Sequence, residues 1–210
     1  MDETVLVGGC ATGLLITDPG AAPIRPTLDV DLVVDIVHYQ DFHAFETKLR
    51  ARGFTQGLRM DEPICRWWHG QLRIDVMPVG GFLGFTNLWY SGAVAHCMTA
   101  MLPSGQTLRH IDAPHFVATK LIAFEHRGAH DPVTSHDAED IVLVLDGRES
   151  IEVEIARAEG ALQRQVARGI KRLVEDDLFM EALEGFFERS VAVERARMVT
   201  ERMQRLTREL

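Results

Sequence analysis

Two aspartates separated by a single residue, Asp29 and Asp31, stand inside the apolar run of residues 28–34. Because successive side chains of a β-strand point to opposite faces, both carboxylates would project from one face of such a strand. Neighbouring carboxylates repel each other and are costly to desolvate, and a divalent cation removes both penalties. Mg²⁺ prefers one or two carboxylates together with phosphate oxygens of a substrate. The pair therefore predicts a Mg²⁺ or Mn²⁺ site, with two solvated carboxylates at a strand end as the alternative.

A second apolar segment, residues 72–78, carries a third carboxylate. Asp75 lies between Ile74 and Val76, so on a strand its side chain faces away from both of them. The three carboxylates would meet if the two strands were neighbours in one sheet. Two metal ions about 4 Å apart can clamp an in-line displacement at phosphorus. The segment thus extends the predicted metal site, on the condition that the strands are adjacent.

Gly8 and Gly9 follow the short apolar run of residues 4–7 and precede a stretch that suits a short helix. A glycine turn between a strand and a helix lets a phosphate approach backbone N–H groups and the positive end of the helix. A plain tight turn is the other interpretation of two glycines at this place. Taken with the three carboxylates, the turn predicts a binding site for a metal–triphosphate.

On the helix predicted from residue 114, Lys120 shares a face with Phe116 and Phe124 through four-residue spacing. These neighbours favour an ammonium that reaches inward, against the alternative of a stem packed on the surface with its head in water. Asp137 and Asp140 share a face of the following helix. Asp137 stands in its first turn, where the helix dipole stabilises a carboxylate without any catalytic role.

The elements that must position these residues follow from apolar patterning and turn signals. Strands are predicted at residues 4–7, 28–37, 64–68, 72–78, 95–102 and 106–111, and helices at 10–17, 41–52, 114–127, 135–147, 151–175 and 178–208. The predicted fold class is α/β (α+β), with a mixed β-sheet core and flanking helices over residues 1–111 and a C-terminal helical region over 112–210. The helical region would contribute Lys120 and Asp137 or Asp140 to the site.

The composition is that of an ordinary globular protein, with 46% hydrophobic and 25% charged residues. No apolar run approaches the roughly 20 residues of a membrane span, and the first residues show no basic segment before an apolar stretch. We therefore expect neither a membrane partner nor a signal peptide. The cysteines, Cys10, Cys65 and Cys97, follow no metal-like spacing and are expected to be reduced thiols of a cytoplasmic protein.

The net charge of −9 is unevenly distributed, because residues 1–150 hold 11 basic and 19 acidic residues whereas residues 151–210 hold 11 and 12. Such a chain as a whole is a poor nonspecific nucleic-acid binder, because phosphates must be neutralised for that affinity. Five basic residues still recur along one predicted helix: Arg157, Arg164, Arg168, Lys171 and Arg172. They indicate either a solvated, ion-paired face or a surface that contacts the phosphates of an RNA acceptor.

Two blocks of the sequence resemble a known family. One is VGGCA at residues 7–11 followed by RPTLDVDL at residues 25–32, which resembles the opening of the nucleotidyltransferase superfamily of DNA polymerase β type. The other is KLIAFEHR at residues 120–127 followed by HDAEDI at residues 136–141, which resembles the AbiEii-type branch of abortive-infection and toxin–antitoxin nucleotidyltransferases. The resemblance covers about residues 4–146 and assigns nothing to residues 151–210.

The resemblance implies a role for each matching residue. Three residues would hold the triphosphate: Gly8, Gly9 and Thr27. Asp29 and Asp31 would bind the metal. Asp75 would either complete the metal site or take the proton of an attacking hydroxyl. Lys120 would contact phosphate, and Asp137 or Asp140 would support the far side of the site. The chain departs from the family where Gly-Gly replaces the common Gly-Ser and where His136 replaces a basic residue.

The implied reaction passes a nucleoside monophosphate from a nucleoside triphosphate such as ATP to a hydroxyl group, and pyrophosphate leaves. Its catalysis is mainly positioning and charge neutralisation, with Mg²⁺ or Mn²⁺ as cofactor. The implied acceptor is tRNA or a protein, and a toxin of this type would have a cognate antitoxin as partner. Two further functions stay open: a catalytically silent nucleotide- or partner-binding module of the same fold, and an antibiotic-modifying nucleotidyltransferase.

Overall fold

The computed structural model describes residues 3–57, 62–127 and 131–208. Contacts within the chain divide it into two compact units. The sheet unit comprises Met1–Ala11 and Pro26–Ile111, and the helical unit comprises Thr12–Arg25 and Asp112–Leu210. Each unit has its own set of elements, so each is described separately.

The segment of residues 12–25, which the sequence analysis assigned to the first part of the chain, belongs to the helical unit. Its Leu15 side chain is fully buried. The backbone N–H groups of Thr17 and Asp18 donate to the carbonyl of Gly147, at 2.8 and 2.9 Å. These long-range contacts tie the segment to a helix more than a hundred residues later, a connection that local sequence patterning does not reveal.

Seven strands of the described residues form one mixed sheet: β1 Thr4–Val7, β2 Asp29–Val34, β3 Thr55–Gln56, β4 Arg66–His69, β5 Leu72–Pro78, β6 Met98–Met101 and β7 Thr107–His110. Their order across the sheet is β3-β4-β5-β2-β1-β7-β6. β2 runs parallel to β5 and β1 parallel to β7, whereas the other neighbouring pairs are antiparallel. The predicted α/β (α+β) class with a mixed sheet is therefore confirmed.

One face of β2 and β5 packs on helix α2, which spans Tyr39–Ala51. The core between them consists of buried apolar side chains: Val34, Phe42, Phe45, Leu49, Trp67, Ile74 and Val76. Val30 and Leu32 of β2 lie against this same core. Because side chains alternate along a strand, the apolar packing of Val30 and Leu32 directs Asp29 and Asp31 to the opposite face. A second helix of the unit, α3, spans Tyr90–Ala95, where the sequence predicted no helix.

The helical unit contains α1 Thr12–Leu15, α4 Ala113–Arg127, α5 His136–Gly147, α6 Ile151–Arg157, α7 Gly160–Val174, α8 Asp177–Ala182 and α9 Ala192–Thr207. Its core lies among four helices, where α4 and α9 each contact both α5 and α7. Gly169 of α7 allows this approach, because a Cβ there would stand 2.7 Å from Cδ1 of Leu121. Within the described ranges, no helix is long and apolar enough to cross a membrane.

The two long helices predicted over residues 151–175 and 178–208 are wrong, because each is interrupted. Between α6 and α7, Ala158 and Glu159 take extended backbone angles, with ψ of 167° and 139°. After α8 a single 3-10 turn follows, and Phe187 is then extended (φ −120°, ψ 157°) with its side chain buried. As a result, Arg157 lies on a different helix from the other four residues of the predicted basic stripe.

Candidate functional site

The three carboxylates predicted to bind metal lie on two hydrogen-bonded strands. β2 and β5 are parallel neighbours, and their register pairs Asp31 with Asp75 and Asp29 with Arg73. Neighbouring strands lie about 4.8 Å apart, and residues paired in register project to the same face. The condition set by the sequence, that the two strands be adjacent, is therefore met. The sheet brings Asp29, Asp31 and Asp75 together on the face opposite the α2 core.

The glycine turn lies directly against this face. β1 pairs antiparallel with β2, and its last residue, Val7, stands opposite Asp31. Gly8 then adopts a left-handed φ of +64°, and a Cβ built on it would lie 2.0 Å from Oδ2 of Asp31. A side chain at Gly8 is excluded both by the backbone angle and by the carboxylate. Gly9 begins a 3-10 helix, Gly9–Ala11, whose first bond runs from the N–H of Ala11 to the carbonyl of Gly8 at 3.0 Å.

Cys10 links this turn to the start of β2. Its Sγ lies 2.8 Å from Oγ1 of Thr27 and donates to the backbone carbonyl of Asp29 at 3.1 Å. The thiol thus ties the glycine turn to the start of the strand that carries Asp29 and Asp31, a role that the sequence did not predict for it. The only signal available in the sequence was its place immediately after the two glycines. Thr27, predicted to hold triphosphate, has its hydroxyl engaged with this thiol.

Two arginines that sequence reasoning did not assign pair with the predicted metal ligands. Arg66 of β4 stands opposite Asp75 and donates from Nε to Oδ1 at 2.9 Å and from Nη2 to Oδ2 at 2.7 Å. Arg73 of β5 places Nη2 2.6 Å from Oδ2 of Asp29. Alternation puts both guanidinium groups on the carboxylate face, so three negative and two positive charges share it. Arg73 stands two residues before Asp75, the one sequence signal that could have identified it.

The electrostatic effect of these pairs reaches neighbouring groups. The hydrogen bond to Asp75 raises the pKa of the Arg66 guanidinium, so it stays charged. Burial, followed by the charge of Asp75, raises the pKa of the Cys65 thiol to about 11. Cys65 is therefore protonated at neutral pH and unsuited to act as a nucleophile.

The oxygen chemistry of this face fits a hard divalent cation, within limits that the geometry sets. Carboxylates are the protein ligands that Mg²⁺ prefers, and the cation commonly takes only one or two of them alongside substrate phosphates. Among the described residues, no group of three or more His, Cys, Asp or Glu side chains is arranged to hold a metal ion. Both oxygens of Asp75 already accept from Arg66. Asp29 and Asp31 thus fit a two-carboxylate site that phosphate oxygens would complete.

In the helical unit, Lys120 holds two carboxylates together. Its Nζ lies 3.0 Å from Oδ1 of Asp137 and 2.6 Å from Oδ2 of Asp140. The three side chains are 9%, 4% and 2% exposed. The interpretation of Lys120 as an inward-reaching ammonium is therefore confirmed against the surface alternative. Its ammonium is ion-paired within its own unit, and its predicted contact with phosphate stays a prediction.

Each of these two aspartates has further partners in the helical unit. Arg127 donates to both oxygens of Asp137, at 2.7 and 3.0 Å. Burial alone would raise the pKa of Asp137, but Arg127 and Lys120 together hold it below its ordinary value of 3.8. Asp140 accepts from Oγ1 of Thr12 at 3.2 Å and from Nη2 of Arg25 at 3.3 Å. Asp140 therefore anchors the segment of residues 12–25 as well as Lys120.

The predicted site residues thus fall into two groups, one in each unit. The sheet unit brings together Gly8, Gly9, Thr27, Asp29, Asp31 and Asp75. The helical unit brings together Lys120, Asp137 and Asp140. Comparison with known proteins adds no family to this geometry, because no family model matches the chain and no curated protein matches it significantly.

Proposed function

We propose that this chain is a nucleotidyltransferase with the mixed-sheet fold of the DNA polymerase β superfamily, dependent on Mg²⁺ or Mn²⁺. The observation that carries the proposal is the register of β2 and β5, which sets Asp31 beside Asp75 on a face against which Gly8 packs. A turn without side chains next to clustered carboxylates suits a metal–triphosphate, because backbone N–H groups and cation-binding oxygens stand side by side. The order of these residues along the chain is also that of the superfamily.

The proposed reaction joins a nucleoside monophosphate to an acceptor hydroxyl. The hydroxyl oxygen forms a bond to the α-phosphorus of a nucleoside triphosphate, the bond from that phosphorus to the bridging oxygen of the β-phosphate breaks, and pyrophosphate leaves with the electron pair. Asp75 would take the hydroxyl proton or, in the other role that the resemblance implies, would be a further ligand of the cation. Because Arg66 fixes both oxygens of Asp75, its orientation is set before the substrate arrives.

The remaining residues of the sheet unit bind and orient. Asp29 and Asp31 would hold the divalent cation, which when bound neutralises the charge of the triphosphate and of the leaving pyrophosphate. Gly8 and Gly9 would admit the triphosphate to the backbone, and Thr27 would border it. The family resemblance would add Lys120 and Asp137 of the helical unit as catalytic residues, and that addition stays a prediction.

The acceptor we propose is a hydroxyl of tRNA or of a protein, and the biological role that of a toxin restrained by a cognate antitoxin. The support is the resemblance of residues 120–127 and 136–141 to the AbiEii-type branch. The two matching blocks are joined by one buried ion-pair network, formed by Lys120, Asp137 and Asp140. The residues that carry the resemblance therefore contact one another. Conversion of a small antibiotic instead of a macromolecule is the other outcome that an acceptor assay would detect.

The test is incubation of the purified chain with each α-labelled nucleoside triphosphate, Mg²⁺, total tRNA and cell protein, followed by gel separation. We expect label in an RNA or protein band. The double variant Asp29→Asn/Asp31→Asn should lose it, and the matched variant Asp35→Asn/Asp41→Asn, at two exposed aspartates nearby, should keep it. Equal labelling by both double variants would contradict the assignment.

A second candidate function is a catalytically silent binding module, and one observation favours it. Arg66 and Arg73 already neutralise Asp75 and Asp29, as permanent counter-ions would in a site that never holds metal. Such a module would bind a nucleotide equally well with Mg²⁺ and with EDTA and would form no product. Nucleotide binding measured by calorimetry under both conditions separates the two functions.

A further inference from the structure

Arg73 and Asp29 form an ion pair that solvent and solutes can reach. The register of β2 and β5 places the two residues directly opposite each other, with Nη2 of Arg73 2.6 Å from Oδ2 of Asp29. Their side chains are 28% and 34% exposed. Pairs with this much solvent contact are weak, so either partner can exchange for another ion.

The guanidinium of Arg73 also has an unused hydrogen-bond donor. Nε of Arg73 is buried and has no hydrogen-bond partner among the described residues. A buried donor without an acceptor is unfavourable, so a turn of the guanidinium that brings Nε to the acceptor oxygens of a ligand is favoured. The planar fork of a guanidinium suits phosphate oxygens in particular.

Arg66 provides a contrast within the same face. It donates through two nitrogens to both oxygens of Asp75, and the two side chains are only 19% and 13% exposed. A two-point pair of this kind fixes the geometry of both partners. Of the two arginines, Arg73 is therefore the one placed to change partners.

We propose that Arg73 is a substrate-binding residue. It serves as counter-cation for Asp29 in the absence of ligands and binds the triphosphate once Asp29 holds a divalent cation. This inference rests on the proposed function. Arg73 and a divalent cation compete for the same Oδ2 of Asp29, so each weakens the interaction of the other with that oxygen. When Asp29 turns to the cation, Arg73 loses its anion and the triphosphate replaces it. Metal and triphosphate therefore bind cooperatively at this site, and metal alone binds weakly.

The first test measures Mn²⁺ binding without nucleotide, by the loss of the free-ion electron paramagnetic resonance signal. Arg73→Gln should bind Mn²⁺ about threefold to fivefold more tightly than wild type, the size expected when a weak competing ion pair is removed. The double variant Asp29→Asn/Arg73→Gln should show no gain, because the gain acts through Asp29. Arg52→Gln, a change at an exposed arginine of the same unit, should match wild type.

The second test measures binding of inorganic tripolyphosphate in the presence of Mg²⁺, by calorimetry. Arg73→Gln and Arg73→Lys should both bind it more weakly than wild type, because lysine keeps the charge but lacks the two-point fork. Arg73→Lys should leave Mn²⁺ affinity near the wild-type value, since a competing cation remains. If Arg73 only stabilised the sheet, Arg73→Lys would not lower tripolyphosphate affinity while leaving Mn²⁺ affinity unchanged.

The outcomes distinguish this inference from the proposed function. Mn²⁺ binding that is lost in Asp29→Asn but unchanged in Arg73→Gln would overturn the role of Arg73 and leave the metal site standing. Mn²⁺ binding by none of the proteins, either alone or together with tripolyphosphate, would overturn both. Circular dichroism of each variant verifies that the sheet is intact before any of these comparisons is made.

Discussion

Ion-paired aspartates of the two units differ in solvent exposure and in the number of partners that hold them. In the sheet unit, Asp29 is 34% exposed and, among the residues that the structure describes, forms one ion pair, with Arg73. In the helical unit, Asp140 is 2% exposed and is held at once by Lys120, Arg25 and Thr12. A carboxylate with a single exposed partner can exchange it for a ligand, whereas one with three partners inside a core cannot do so without cost. The comparison predicts ligand exchange at Asp29 and a fixed geometry at Asp140.

The largest effect on stability should come from the buried network. Lys120→Met removes the cation that Asp137 and Asp140 share, while Arg127 and Arg25 remain as partners of one aspartate each. Breaking a buried pair by removing one partner then costs about 3 kcal/mol, the lower end of the usual range. We expect a loss of that size in the free energy of unfolding, measured by urea denaturation. A loss below about 1 kcal/mol, the value of an exposed ion pair, would mean that the buried network of the helical unit is no more stabilising than the Asp29–Arg73 pair of the sheet unit.

The glycine turn should show an effect of similar size. Gly8→Ala combines a left-handed backbone angle with a clash against Asp31, so we expect a loss of about 3 kcal/mol in unfolding free energy together with loss of metal binding. Gly70→Ala is the matched control, because Gly70 has a similar φ of +60° but no atom within 4 Å of the added Cβ. It should lose only about 1 kcal/mol and keep metal binding. Equal losses in both variants would show that the contact with Asp31 is unimportant.

A smaller effect should appear in the pH dependence of stability. The folded-state pKa of Asp137 lies below its ordinary value of 3.8, so its stabilisation is complete above pH 3.8 and is lost as the pH falls through the folded pKa. The stability gap between wild type and Asp137→Asn should therefore narrow below pH 3.8.

Asp146, on the same helix, should behave in the opposite sense. Burial outweighs its partner Arg195 and raises the pKa of Asp146 above 3.8. Its ionisation is thus disfavoured in the folded state, and wild type should lose stability relative to Asp146→Asn as the pH rises through 3.8. Both stability differences can be measured from unfolding curves at several pH values between about 2.5 and 6, the range in which carboxyl groups ordinarily titrate. Parallel pH profiles for the two variants would contradict these directions.

The sequence could predict the elements of the site because their signals are local. Alternation of apolar and acidic residues over 28–34 identified β2 and the shared face of Asp29 and Asp31, since the side-chain period of a strand is two. Likewise, Lys120 was predicted to point inward because it shares a helix face with Phe116 and Phe124, since residues four apart are neighbours on a helix.

Features that depend on distant partners were not predictable. The pairing of Arg66 with Asp75 and of Arg73 with Asp29 requires the register of three strands, which no local pattern encodes. The placement of residues 12–25 in the helical unit depends on hydrogen bonds to Gly147. The break at residues 158–159 was missed because apolar periodicity continues on both sides of it.

The central claim is that Asp29 and Asp31 are held for exchange with a ligand and not for the stability of the fold. The most direct test combines two readouts on Asp29→Asn/Asp31→Asn: nucleotidyl transfer from labelled nucleoside triphosphates and unfolding by urea. The account predicts that transfer falls below detection while the free energy of unfolding changes by about 1 kcal/mol or less, as for exposed ion pairs. Wild-type transfer by this variant, or its unfolding, would contradict the account.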